Sequence, residues 1–551
     1  MLDGATEERV HSALARMAEE NWVGRIWEPD PNLWRPEPHH HKEIRNRLGW
    51  LHLPTRNMSK IDMLRSFADD IRGDFDRVVL LGMGGSSLGA ECFANIFGSA
   101  EGYPQLGVLD STVPAEVLRA TGDTDINRCL FIVASKSGTT TEALAFYRYF
   151  LGKVQSLLGA ASGEHFIAIT DPDTELGQIG REAGFRAIFE NWQDIGGRYS
   201  ALSYFGMVPA ALMGLPLRQI LQGAAGMAEV CSPAVPVDDN PGAALGALLG
   251  VCHEMGRDKV TFLTSDRLAT FGDWAEQLLA ESTGKEGKGL IPVVAEPPVE
   301  ASAYGSDRLF VQLRINGDAI HDKMVDELAQ AGHPVVRMVL DDVNSIGAEM
   351  FRWEFATAVA GAMMQINPFD QPDVGSAKAK TREMLDHYEQ EGALPECEAD
   401  VVEGSIFGGD VRGAVNRLID DAHPGEYLAI MAYLPQSEVV EDAVARMRTE
   451  VAARGVATTF GYGPRFLHST GQLHKGGPKA GVFLQLVADD PRDAEIPGEP
   501  YSFSTLRQAQ ADGDLTVLNE RGLEVMRVDL GDDIPGNIGR LTEMIIEAVA
   551  Y

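Results

Sequence analysis

Twice in the N-terminal third of this chain, an apolar run ends in a turn of glycines and hydroxyls that opens onto a helical pattern. The first copy runs Arg77-Val-Val-Leu-Leu-Gly82-Met-Gly84-Gly85-Ser86-Ser-Leu-Gly89 into a helical stretch at residues 90–97. The second runs Cys129-Leu-Phe-Ile-Val-Ala134, then Ser135-Lys136-Ser137-Gly138-Thr139-Thr140-Thr141-Glu142, into a helical stretch at residues 143–150. A strand that turns directly into a helix leaves the first helical N–H groups and the positive dipole end facing the turn, which favours a bound anion. Hydroxyls add donors there. Gly82, Gly84 and Gly85 let the backbone approach a ligand and adopt positive φ. Taken singly, such a turn also reads as an ordinary Ser/Thr cap. The upstream copy matches only part of the dinucleotide fingerprint and lacks the Lys-Ser/Thr pair of a Walker loop. Two Ser-bearing turns in one unit instead suggest a clamp on a sugar phosphate.

Strand and helix patterns alternate from about residue 76 to 230, with Phe-Ile-Ala-Ile-Thr at 166–170 as a further apolar run. That rhythm predicts a parallel sheet with helices on both faces, and ligands bind outside the carboxyl ends of its strands, where both turns fall. A chain of 551 residues exceeds one core. The expected division is a helical N-terminal arm (1–75), a first α/β unit (76–235), a second (242–385) and a third (400–551). Residues 307–314 and 331–342 are similar to residues 480–487 and 520–530, as an internal duplication would leave them. Helical patterns at 7–22 and 62–71 flank a Pro/His/Trp-rich stretch at 29–41, and His39-His40-His41 reads as a surface loop rather than a metal site.

A net charge of −34 argues against nucleic acid or an anionic membrane as partner. An anionic substrate must be held by local donors against that field. Five cysteines, at 92, 129, 231, 252 and 397, show neither metal nor disulfide spacing, so a reducing cytoplasm is expected. No signal peptide and no apolar run long enough for a membrane span is apparent.

Two further segments carry chemistry. Asn191-Trp-Gln-Asp-Ile-Gly-Gly-Arg198-Tyr-Ser200 sets an arginine on a Gly-Gly turn, where its guanidinium offers up to five donors to an oxyanion or a structural salt bridge. Glu276-Gln277-Leu-Leu-Ala-Glu281-Ser-Thr-Gly-Lys285 sets Glu281 at the end of a helix. The negative dipole end disfavours its charge and predicts a raised pKa suited to moving protons near neutrality. A solvated helix-end residue is the plain alternative.

In order, these segments resemble the phosphoglucose isomerase family. The Gly-Gly-Ser turn, Ser-Lys-Ser-Gly-Thr-Thr, Gly-Gly-Arg-Tyr-Ser, Gln-x-x-x-Glu-Ser-x-Gly-Lys and Asn367-Pro-Phe-Asp-Gln-Pro372 leading to Lys378 all occur in that family's order. The resemblance implies an α/β fold of two sugar-isomerase sandwich domains with parallel sheets, here joined by a third α/β unit resembling the second. It implies interconversion of glucose 6-phosphate and fructose 6-phosphate through a cis-enediolate, without metal or cofactor. Gly85, Ser86, Ser135, Lys136, Ser137 and Thr140 would bind the phosphate end, and Gln277 would position a hydroxyl. Arg198 would stabilise the enediolate, Glu281 would be the base, and Lys378 would meet the sugar ring.

One departure stands out. The family's ring-opening histidine follows shortly after the catalytic Glu in a Leu-His-Ser-x-Gly-Gln segment, whereas residues 293–305 here contain no histidine. The segment recurs downstream as Phe466-Leu467-His468-Ser469-Thr470-Gly471-Gln472, so His468 is expected to serve from the third unit, in its own chain or a neighbouring one. His321, His333 and His474 are weaker candidates. The extra unit resembles the isomerase half of transaldolase–isomerase fusion proteins, which admits a homodimer and a fused transaldolase partner. No transaldolase barrel reads in this chain, and no such activity is expected. A regulatory sugar-phosphate sensor would keep the Ser turns but lose the acid–base set, which is present. A side activity on mannose 6-phosphate depends on pocket shape and is not readable here.

Overall fold

Apolar runs without alternation suit a parallel sheet covered on both faces. The computed structural model of the chain, which describes residues 1–395 and 411–550, holds three such sheets. The first contains β1 (Arg77–Gly82), β2 (Gln105–Leu109), β3 (Cys129–Ala134), β4 (Phe166–Thr170) and β5 (Ala187–Glu190) in the order β2-β1-β3-β4-β5. The second contains β6 (Lys259–Thr264), β7 (Ile291–Val293), β8 (Arg308–Ile315) and β9 (Val335–Leu340), ordered β7-β6-β8-β9. The third contains β10 (Tyr427–Tyr433), β11 (Ala457–Tyr462), β12 (Gly481–Val487) and β13 (Glu524–Asp529), ordered β11-β10-β12-β13. Every paired strand runs parallel.

The second and third sheets therefore share one strand order. The segments likened to each other in the sequence fall on β8 with β12 and on β9 with β13, at matching places in the two sheets. Residues 400–410 of the expected third unit, and Cys397, lie outside the described residues. The other four cysteines are buried free thiols.

The first 75 residues are largely helical and pack against the rest of the chain. Trp27 Nε1 donates to the Cys231 carbonyl at 2.9 Å and Trp34 Nε1 to the Ala358 carbonyl at 2.7 Å, so indoles anchor them beside the second sheet. The expected loop at His39–His41 is instead part of the helix Pro38–Arg45. Pro38 sits in its first turn, where a fixed φ and a missing N–H favour a helix start.

Apolar side chains join the second and third sheets: Ile291 and Val293 pack with Tyr427, Tyr433, Leu473 and Phe483. Around them lies a buried ionic lock. Glu296 accepts from Thr458 N at 2.7 Å and Thr458 Oγ1 at 2.8 Å and pairs with Arg308 at 2.9 Å. Arg448 donates to the Val294 and Ala295 carbonyls at 2.8 and 2.9 Å. Removing one member would strand a desolvated charge, so the seam tolerates little change. The helix Val374–Glu391 packs along the helix Phe503–Glu520, with Gly513 placed where an added Cβ would come within 3.1 Å of Thr381 N. No helix among the described residues is long and apolar enough to cross a membrane.

Candidate active site

The carboxyl ends of β1 and β3 lead into the two turns singled out in the sequence. Gly84 has φ +54°, and an added Cβ would lie 2.6 Å from the His468 carbonyl oxygen and 2.8 Å from Gln277 Nε2. At Gly85 a Cβ would fall 2.2 Å from the Gly197 carbonyl oxygen. Bare backbone here lets segments from all three sheets touch. After β3, Gly138 takes φ +71°, and Ser135 Oγ braces the turn by accepting from Gly138 N at 3.1 Å and lying 2.8 Å from Thr140 Oγ1.

The turn after β3 borders a cavity of about 830 Å³ lined by Ser137, Thr139, Thr140, Thr141, Glu142, Lys378, Lys475, His468 and Gln510, among others. It lies at the N-terminus of the helix Thr141–Leu158, where the first N–H groups and the dipole favour an anion. Ser137 and Thr140 thus face the cavity. Ser86, Ser135 and Lys136 do not line it: Ser135 is buried inside its own turn, and Lys136 Nζ is ion-paired with Asp171.

Arg198 is fully buried at the next layer, on the short helix Gly197–Tyr199. Its Nε donates to Ser282 Oγ at 2.7 Å; Nη1 reaches Gln371 Oε1 at 2.7 Å and Glu281 Oε2 at 3.4 Å; Nη2 donates to the Pro368 and Asp370 carbonyls at 2.8 and 2.9 Å. All five donors are engaged. Both readings offered by the sequence meet here, because the salt-bridge partner is Glu281 itself.

Glu281 ends the helix Ala269–Thr283 and accepts from Gln277 Nε2 at 3.3 Å. Its carboxyl is raised above the ordinary range, as expected, but burial is the largest cause; the charges of Arg198, His468, Lys378 and Lys285 pull the other way. Lys285 had no role in the sequence reading. It donates to the Asn367 and Asp370 carbonyls at 2.8 and 2.6 Å and so ties the Gly-Lys turn to the segment leading to Lys378. Burial brings its ammonium down to about 8.

His468 enters from the connection between β11 and β12 of the same chain. Its carbonyl accepts from Gln277 Nε2 at 2.8 Å, and its Nε2 lies 3.0 Å from Glu142 Oε1. Burial disfavours the Glu142 charge, yet the charge and hydrogen bond of His468 hold its pKa down at about 2. An ionised carboxylate only accepts, so Nε2 carries the proton and Nδ1 is left to exchange one. Glu142 stood in the quoted motif without a role. A carboxylate in the first turn of a helix was the available signal. The weaker candidates lie elsewhere in function: His321 and His333 meet backbone carbonyls at 3.1 and 3.3 Å, and burial brings His474 down to about 3. Among the described residues, no group of three or more His, Cys, Asp or Glu side chains is placed to hold a metal ion.

The profile of the phosphoglucose isomerase family matches residues 62–290, ending just before the segment that lacks the histidine. A glucose-6-phosphate isomerase of Thermus thermophilus is 30% identical over 387 residues, covering 61% of this chain and 90% of the relative. That of Carboxydothermus hydrogenoformans is 26% identical over 401 residues, covering 62% and 86%. Among solved structures, a hypothetical protein from Thermus thermophilus matches with TM-score 0.60 and 26% identity, over 70% of this chain and 99% of that one. A glucose-6-phosphate isomerase from Chlamydia trachomatis shares the fold with TM-score 0.51 and 20% identity, over 60% and 74%. With a buried Glu–Arg pair joined through Gln277 to His468 at a hydroxyl-lined cavity, and a 30% identical relative covered along nine-tenths of its length, this chain belongs to the phosphoglucose isomerase family.

Proposed function

We infer that this chain is a glucose-6-phosphate isomerase, an aldose–ketose isomerase that interconverts glucose 6-phosphate and fructose 6-phosphate. The observation that carries the reading is one hydrogen-bond network beside the cavity that His468 lines: Arg198 meets Glu281 at 3.4 Å, and Gln277 Nε2 donates to both Glu281 and the His468 carbonyl, each from a different part of the chain. The phosphate sits at the N-terminus of the helix Thr141–Leu158, held by Ser137, Thr140 and free backbone N–H groups. Ser135 shapes that turn from within, while Gly85 and Ser86 form the opposite turn, and Lys136 holds the phosphate turn in place through its pairing with Asp171.

His468, oriented by Glu142, moves the proton that opens the sugar ring, with Lys378 at the ring. Glu281 then takes the proton from C2 and returns it to C1. A raised pKa makes the Glu281 carboxylate a stronger base for taking the C2 proton. Gln277 orients a substrate hydroxyl. Arg198, its donors already held by protein groups, acts as a fixed positive charge beside the cis-enediolate, which costs no reorganisation during the reaction. The two carbons exchange oxidation level, so the atoms balance without an added oxidant or reductant.

The same proposal takes residues 76–235, 242–385 and 400–551 as the three α/β units and sets the enzyme in the cytoplasm. A homodimer and attachment to a transaldolase are further proposals of the resemblance, read by the mass of the protein isolated from its own cells. The decisive variant is Glu281→Gln in a coupled assay. Loss of a positioned base lowers kcat by roughly 10²–10⁴-fold. Turnover kept within tenfold, about 1.4 kcal/mol of barrier, would show that the proton is moved by another group.

A further inference from the structure

Gln510 lies on the helix Phe503–Glu520, far in sequence from every motif above, and it lines the cavity beside His468. It is only 3% exposed. Its Nε2 donates to Glu142 Oε1 at 2.7 Å, the same oxygen that meets His468 Nε2 at 3.0 Å. Its Oε1 accepts from Thr112 Oγ1 at 2.7 Å, and Thr112 is fully buried just past the end of β2. The carboxylate dictates the amide's orientation, because a carboxylate oxygen needs a donor and only the amide nitrogen supplies one. The amide oxygen is then turned to Thr112, whose hydroxyl must donate. Four groups from four segments thus form one directed chain: Thr112 to Gln510 to Glu142, with His468 closing on the same oxygen.

We propose that Gln510 is a positioning residue for ring opening, fixing Glu142 so that His468 presents Nδ1 to the substrate. This rests on the function inferred above and deepens it: the third sheet supplies both the histidine and the group that aims it. Two donors on one oxygen share its charge, so Gln510 competes with the imidazole for the carboxylate. Without the amide, Glu142 binds the imidazolium more strongly, and it is also free to swing.

The test is an NMR titration of the His468 ring, assigned by its loss in His468→Gln, in the native protein and in Gln510→Leu. The variant's His468 resonance should titrate at higher pH than the native one, and the acid limb of kcat/KM for cyclic glucose 6-phosphate should move the same way, with a rate loss of about tenfold. Thr112→Val should act in the same direction with a smaller effect, and Thr112→Ser, which keeps the hydroxyl, should titrate closer to native. A titration in Gln510→Leu and Thr112→Val that superimposes on native overturns the assignment. The ring titration does not depend on turnover. A native protein without isomerase activity would therefore reject the function, and an unmoved ring would reject the role of Gln510.

Discussion

In the second sheet, the connection from β7 to β8 carries no histidine, whereas in the third sheet the corresponding connection, from β11 to β12, holds His468. Both follow the edge strand that stands first in the shared strand order. The helix leading into β7 ends in Gln277 and Glu281, while the helix Glu438–Ala452 leading into β11 has no such pair. On the proposed function, the two similar frameworks carry complementary halves of one site. The β7–β8 connection is structural: Glu296 is clamped by Thr458 and Arg308, and Arg448 holds the carbonyls at 294 and 295. The closeness of the two halves depends on Gly84, whose missing side chain admits Gln277 and the His468 carbonyl together.

If the halves are divided in this way, variants on the second-sheet side should affect the proton transfer whatever form the sugar takes. Arg198→Leu should lower kcat by about 10²–10³-fold, the usual effect of removing a charge or donor aimed at a developing oxyanion. The loss should be the same with cyclic glucose 6-phosphate and with an open-chain analogue, measured by steady-state kinetics. A loss confined to the cyclic substrate would place Arg198 on the ring-opening side and break the division.

A smaller effect is expected at the seam itself. Glu276, on the same helix as Glu281, lies 3.5 Å from Ser469 Oγ, and burial raises its pKa to about 8. A carboxyl whose folded pKa exceeds its unfolded value holds more protons in the folded state. Its contribution to stability is therefore full below the unfolded pKa and is lost as pH rises toward about 8. Glu276→Gln should unfold at a higher temperature than native at pH 8, by an amount equivalent to roughly 1–3 kcal/mol after allowing for partial solvation. The difference should shrink toward pH 5. A difference independent of pH would mean that Glu276 does not titrate against the seam.

The frame of the molecule was readable where burial is two-sided. β1, β3 and β4 coincide with apolar runs seen in the sequence, because strands covered on both faces have no polar alternation to blur their ends. β7 is three residues long and β5 is half exposed, so neither left a pattern. At the site, linear motifs located Glu281, Arg198, Lys378 and His468. They gave no hint that Lys136 turns to Asp171 or that Ser135 is spent on its own turn, since those are choices of side-chain direction. Thr112 and Gln510 were invisible for a plainer reason: single polar residues 398 positions apart carry no local pattern, and only the packing of helices brings them together.

The central claim is that the third sheet opens the sugar ring while the second moves the proton. His468→Ala separates the two most directly, with kcat/KM measured on cyclic glucose 6-phosphate and on an open-chain analogue. The account predicts a clearly larger loss on the cyclic substrate. Equal losses on both would contradict it and leave His468 as packing between the sheets.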